Sequence, residues 1–131
     1  MEGSLKELSM RQLEKAREML SAAEENLRIG HYRTSLNRSY YAVFHAMRAV
    51  NATDGIDSSK HSGVIAHFNQ NYIKSGKLDR GLVSVIKSTS HFREKSDYDD
   101  FYVTSEEEAE EQLQEAKAFV CAIEGYLEAT V

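Results

Sequence analysis

Between Ser35 and Val50 the apolar residues recur at steps of three and four: Leu36, Tyr40, Val43, Phe44, Met47 and Val50. That period places them on one face of an α-helix. The opposite positions, Thr34, Arg38, Tyr41, His45 and Arg48, recur at the same steps. A surface helix ordinarily sets Lys and Glu opposite its apolar stripe. Here a phenol, an imidazole and two guanidiniums stand there instead. The pattern predicts a helix over about residues 31–51 that packs by one face and meets something with the other.

The same periodicity organises the rest of the chain. A first helix is predicted over 4–28, with Leu5, Leu13, Ala16, Leu20, Ala23 and Leu27 inward and Gly30 as the residue that ends it. The link 29–32 is short, so the second helix should return antiparallel to the first. Residues 51–59 are rich in Asn, Asp, Gly and Ser and read as a loop. Ser58 or Ser59 is a candidate cap for a third helix whose buried side is Val64, Ile65, Phe68, Tyr72 and Ile73. After Ser75-Gly76-Lys77, a fourth helix is predicted over 79–96 with Leu82, Val85, Ile86 and Thr89 inward. Arg93 continues that inward line, and an arginine there needs a partner.

Residues 97–103 form a polar-aromatic connection. Thr104 with Glu107, or Ser105 with Glu108, gives a capping box for a last helix. The acidic run Glu106, Glu107, Glu108, Glu110 and Glu111 suits the positive end of that helix's dipole. Ala109, Leu113, Ala116, Val120, Ile123 and Leu127 form its stripe. The expected fold is all-α: a single domain over 1–131, an antiparallel up-and-down bundle of about five helices.

Composition narrows the setting. The 131 residues include no proline, are 41% hydrophobic and 28% charged, and contain no run near the roughly 20 apolar residues of a membrane span. The N-terminus lacks the basic-then-apolar pattern of a signal peptide. Cys121, the single cysteine, has no internal disulfide partner, so the expected compartment is the cytoplasm. A net charge of −5 argues against broad attraction to nucleic acid but leaves room for a local basic site.

Three stretches are candidates for chemistry. Arg38, Tyr41 and His45 share one helical face over roughly 10 Å. A cation, a phenol and an imidazole in one groove suit a phosphate and a stacked base. The same spacing suits interface or core residues with satisfied hydrogen bonds. Arg93 and Tyr98 straddle the end of the fourth helix, where they could hold a phosphate; alternatively Arg93 pins the junction by pairing with Asp97 or Asp99. Lys60 and His61 open the third helix, where free backbone N–H groups favour anions. The histidines show no metal-ligand spacing, so no metal or other cofactor is expected. Cys121 reads as a packing residue.

Taken together, several segments carry a resemblance. They are Gly30-His31-Tyr32, the run from Asn37 to Ala46, Lys60-His61-Ser62-Gly63-Val64-Ile65, Lys74-Ser75-Gly76-Lys77-Leu78, and Arg93-Glu94-Lys95-Ser96-Asp97-Tyr98-Asp99-Asp100. In this order and spacing the chain resembles the HEPN domain family (higher eukaryotes and prokaryotes nucleotide-binding), in its small free-standing prokaryotic branch. The resemblance implies a helical homodimer, often paired with a minimal nucleotidyltransferase in toxin–antitoxin-like modules. Many members are metal-independent ribonucleases whose motif is Arg, four to six residues, then His. By position the arginine is Arg93, but Tyr98 stands where the histidine is expected. Arg38 and His45 meet the spacing, yet lie inside the second helix. A phenol is a weaker base than imidazole at neutral pH. The expectation is therefore a nucleotide- or RNA-binding, or nucleotidyltransferase-partner, module. The alternatives are a ribonuclease toxin using Arg93, Tyr98 or His45, and a helical dimer scaffold without a ligand.

Overall fold

The computed structural model describes residues 2–130. Five α-helices and no strands occur among them: α1 (Glu2–Arg28), α2 (Tyr32–Ala52), α3 (His61–Phe68), α4 (Leu82–Tyr98) and α5 (Glu106–Thr130). A π-helical turn over Asn69–Ile73 continues α3. Cross-helix contacts fix the directions. Ser9 meets Ala49 and Ser35 meets Ala23, so α1 and α2 are antiparallel. Arg17 pairs with Glu124 and Lys117 with Glu24, which sets α5 antiparallel to α1. Ser88 on α4 bonds Gln112 on α5, and Arg93 reaches Tyr41 on α2. The bundle is up-down-up-down, with α3 and its π turn crossing between α2 and α4.

The second helix is the strut of this bundle, buried at 13 of its 21 positions. That is more than the two-faced pattern predicts. A third face of small residues, Ser35, Ala42, Ala46 and Ala49, is also buried. The small side chains bring α1 and α2 close enough for two buried hydroxyls to bond carbonyls across the seam. Ser9 Oγ donates to Ala49 O at 2.7 Å and Ser35 Oγ to Ala23 O at 2.8 Å. Each such bond is worth about 1 kcal/mol net, and its buried hydroxyl would cost more unpaired.

The predicted stripes pack as expected, with differences that have local causes. Phe119 is fully buried beside Phe68 at 5.8 Å between ring centroids, one helical turn from Ala116 and Ile123. The Ser105–Glu108 capping box forms: Glu108 N donates to Ser105 Oγ at 3.1 Å, and Ser105 N to Glu108 Oε1 at 3.2 Å. Gly30 takes φ +86° just beyond α1, the left-handed turn that only glycine adopts without strain.

Several expectations are corrected. The first helix begins at Glu2 rather than Ser4, and α2 runs from Tyr32 to Ala52 rather than 31–51, with His31 at its N-cap. Neither Ser58 nor Ser59 caps α3: Lys60 holds the cap position, and Ser58 Oγ accepts from Lys60 N in the loop before it. The fourth helix starts at Leu82, not Asp79, because the Asp79 carboxylate accepts from Gly81 N and closes a turn first. It also runs on to Tyr98, so the connection is shorter than predicted. Cys121 is exposed rather than packed. Among the described residues no helix is long and apolar enough to cross a membrane.

Candidate functional site

One cluster gathers side chains from three helices around the middle of α2. Tyr40, Tyr41, Phe44 and His45 come from α2, His61 from the first position of α3, and Arg93 from the inward line of α4. The His61 ring stacks on Phe44 at 4.4 Å between centroids and stands edge-on to Tyr41 at 5.7 Å. The Tyr40 hydroxyl lies 2.8 Å from His61 Nδ1. A phenol buried at pH 7 is protonated, and its hydroxyl ties His61 Nδ1 in place by a hydrogen bond. Burial pushes the Tyr40 phenol up to about 12, so it stays protonated across the physiological range.

Arg93 closes the cluster from the far side. Its guanidinium carbon lies 5.1 Å from the Tyr40 ring centre and 5.6 Å from that of Tyr41, a double cation–π contact. The side chain is 16% exposed. Its polar contacts are thin: Nη2 to Tyr41 Oη at 3.5 Å, and Nε to Asp97 Oδ2 at 3.4 Å. The second distance is an ion pair without a hydrogen bond, and Nε has no hydrogen-bond partner. Of five guanidinium donors, one makes a long hydrogen bond. Asp97 is shared, since Asn37 Nδ2 also reaches it at 3.3 Å, and Asn37 in turn accepts from Arg38 at 2.6 Å.

The two cluster histidines are held neutral. His61 lies below its ordinary value because of burial first and the charge of Arg93 second. His45 is lowered to about 4, by burial and then by Arg48, Lys15 and His61. Its Nδ1 lies 2.8 Å from Gln12 Oε1. A carboxamide oxygen only accepts, so Nδ1 carries the hydrogen and Nε2 keeps its lone pair. Arg48, at the end of the strip, donates to Asp57 at 2.9 Å.

The structure thus sorts the candidate residues. Tyr41, His61 and Arg93 converge, with His45 beside them and Arg38 joined through Asn37 and Asp97. Tyr98 does not join them. It lies five residues after Arg93, on a different side of α4, and is exposed. Lys60 is exposed at the N-cap of α3. Four contributors escape sequence reasoning. Tyr40 and Phe44 sit in the apolar stripe and read as core alone. Gln12 and Asn37 carry a faint signal: Gln12 is polar beside Leu13 on an inward face, and it is buried.

This geometry places an enclosed, donor-rich guanidinium beside a tyrosine hydroxyl and a neutral imidazole stacked on a phenyl ring. Such a cluster has the chemistry to meet a phosphate with an attached ring. Comparison with known proteins places the chain in a family. The HEPN domain model matches residues 9–126, nearly the whole length, and the chain belongs to that family. A UPF0332 protein of Thermotoga maritima is 33% identical over 87% of this chain and 86% of its own. A Methanocaldococcus jannaschii protein named "Putative toxin MJ0142" is 33% identical over 88% of this chain and 78% of its own. The crystal structure of TT1696 from Thermus thermophilus superposes with a TM-score of 0.75. It is 22% identical and covers 90% of this chain and 97% of its own, a likeness of fold.

Proposed function

We propose that this HEPN protein is a toxin-like module that binds a nucleotide or RNA through the Arg93–Tyr41–His61 cleft. The observation that carries the reading is Arg93: a guanidinium largely withdrawn from solvent whose donors are mostly unspent. Enclosing a cation this way costs free energy that stacking on two tyrosines offsets only in part. A phosphate would supply charge and bidentate acceptors at once. The stacked Phe44 and His61 pair would hold the sugar or base. Relatives named as toxins support the toxin-like part. The same reading takes the protein as a homodimer that works with a minimal nucleotidyltransferase, as its family resemblance implies.

The test is fluorescence anisotropy with a short labelled single-stranded RNA. Losing charge-assisted bonds of about 1.5–3 kcal/mol, Arg93→Ala should bind roughly 10- to 150-fold more weakly. Tyr98→Ala should bind as wild type does. Equal affinity of wild type and Arg93→Ala would overturn the reading.

A second reading, metal-independent RNA cleavage, is favoured by one placement. His61, rather than Tyr98, is the imidazole that shares Tyr40 and Tyr41 with Arg93. A neutral, oriented histidine near a phosphate-holding arginine suits acid–base work on a ribose hydroxyl. RNA incubated with a chelator should then yield cyclic-phosphate ends with wild type and none with His61→Ala. Intact RNA with both would leave binding alone.

A further inference from the structure

The junction between α4 and α5 displays what the rest of the molecule hides. Phe101 is 95% exposed, Val103 85% and Tyr98 75%. Three large side chains within six residues together display roughly 400 Å² of largely apolar surface. The segment that carries them is not loose. Arg33, at the start of α2, donates to the carbonyls of Ser96, Asp99 (3.0 Å) and Tyr102 (2.6 Å), clamping the end of α4 and the connection together. Asp99 Oδ1 accepts from Phe101 N at 3.0 Å, and Tyr102 Oη donates to Glu108 at 2.9 Å. The connection is therefore fixed in a shape that holds Phe101 and Val103 in water.

Charge tells what would cover them. Residues 94–115 hold ten carboxylates and one lysine, a net of −9. The remainder of the chain, with fifteen basic and eleven acidic residues, stands at +4. Of the ten carboxylates only Asp97 forms an ion pair among the described residues. The helix dipole accounts for Glu106, Glu107 and Glu108 in the first turn of α5. It does not account for Asp100 before the helix, or for Glu110, Glu111 and Glu115 beyond its first turn. Those last three line a groove of about 620 Å³ between α4 and α5, with Phe92 and Ser88 on its other wall. The displayed apolar side chains thus stand at the junction that joins α4 to α5, and the groove between those two helices carries unneutralised carboxylates and a phenyl ring.

We infer that this face docks a lysine- and arginine-rich segment of a second protein, with apolar anchors against Phe101, Val103 and Tyr98 and cations along the α4–α5 groove. A second copy meeting it face to face would bring the same −9 and be repelled. Nucleic acid is excluded from this face by the same sign. The inference does not depend on the Arg93 cleft, whose cations all lie outside this segment.

The experiment has two arms on the intact protein. In the first, p-benzoylphenylalanine replaces Phe101 in the cells that make the protein, and the crosslinked peptide is sequenced by mass spectrometry. The expected result is a Lys/Arg-rich segment of another protein. A crosslink to a second copy of this chain, to an acidic segment, or to nothing would overturn the inference. In the second arm, the crosslinked segment, or failing that a synthetic amphipathic Lys/Leu helix, is titrated into the protein. Binding should weaken by about tenfold or more in Phe101→Ser/Val103→Ser and in Glu110→Gln/Glu111→Gln. It should also fall with salt, and a Glu/Leu peptide with the same apolar face should not bind. Equal binding of both peptides, or no effect of either double variant, would overturn it. All four substituted residues are exposed, so the variants should fold. RNA affinity unchanged in Phe101→Ser/Val103→Ser, together with peptide affinity unchanged in Arg38→Ala, separates this face from the cleft.

Discussion

His45 offers a prediction whose size can be worked from its surroundings. The imidazole is half-buried, its Nδ1–H is given to Gln12, and Arg48, Lys15 and His61 surround it. Burial, then these charges, lower it from 6.5 to about 4 in the folded protein. In the unfolded chain it titrates near 6.5. Between those values the unfolded state binds a proton that the folded state refuses, so stability falls as pH falls. It is fully present above about pH 6.5 and lost on the way down to pH 4. At about 1.4 kcal/mol per pH unit the whole difference would be about 3.4 kcal/mol. Solvent reaches part of the ring and screens the charges, so on the order of 1–2 kcal/mol is expected, about 1 of it by pH 5. The assay is urea unfolding at about pH 7 and pH 5 for wild type and His45→Gln, a side chain that does not titrate. With a slope of about 1.5 kcal/mol per molar urea, the wild-type midpoint should drop by about 0.6 M more than that of the variant. Parallel pH dependence in the two proteins, or a His45 NMR resonance titrating at or above 6.5, would refute the reasoning.

Other outcomes follow from single contacts. Tyr40→Phe removes the hydroxyl held 2.8 Å from His61 Nδ1. It should cost about 1 kcal/mol, which for a chain of this length lowers Tm by about 3–4 °C in calorimetry. An unchanged Tm would mean that the bond is not formed in solution. Gly30 at φ +86° and Gly125 in open helix make an opposed pair. Gly30→Ala should destabilise by about 1 kcal/mol, and Gly125→Ala should stabilise by up to about 1 kcal/mol, in the same denaturant series.

The bundle was legible because each helix carries a stripe at the helical period and each break carries a turn residue. The capping box at Ser105 and Glu108 and the left-handed Gly30 were readable from local chemistry alone. Boundaries slipped where a side chain competed with the helix, as Asp79 does by closing its own turn before Leu82. The cleft was half legible. Tyr41, His45, His61 and Arg93 stood out as chemistry in unusual places, yet their convergence depends on how α3 crosses between α2 and α4. No spacing along the chain encodes that crossing. Tyr40 and Phe44 were hidden for the opposite reason: a residue that both packs and positions a histidine looks, in sequence, like one that only packs. Tyr98 stands apart from Arg93 because a step of five residues along α4 places it on another side of the helix.

The central claim is that the Arg93–Tyr41–His61 cleft receives the phosphate of a nucleotide or RNA. Side-chain NMR of the guanidinium and imidazole nitrogens, followed while a short single-stranded RNA is titrated in, tests it most directly. The account predicts that the Arg93 and His61 signals move together and saturate with the binding curve, and that Arg93→Gln abolishes the His61 shift. Stationary cleft signals, with shifts confined to exposed lysines such as Lys74 and Lys87, would contradict it.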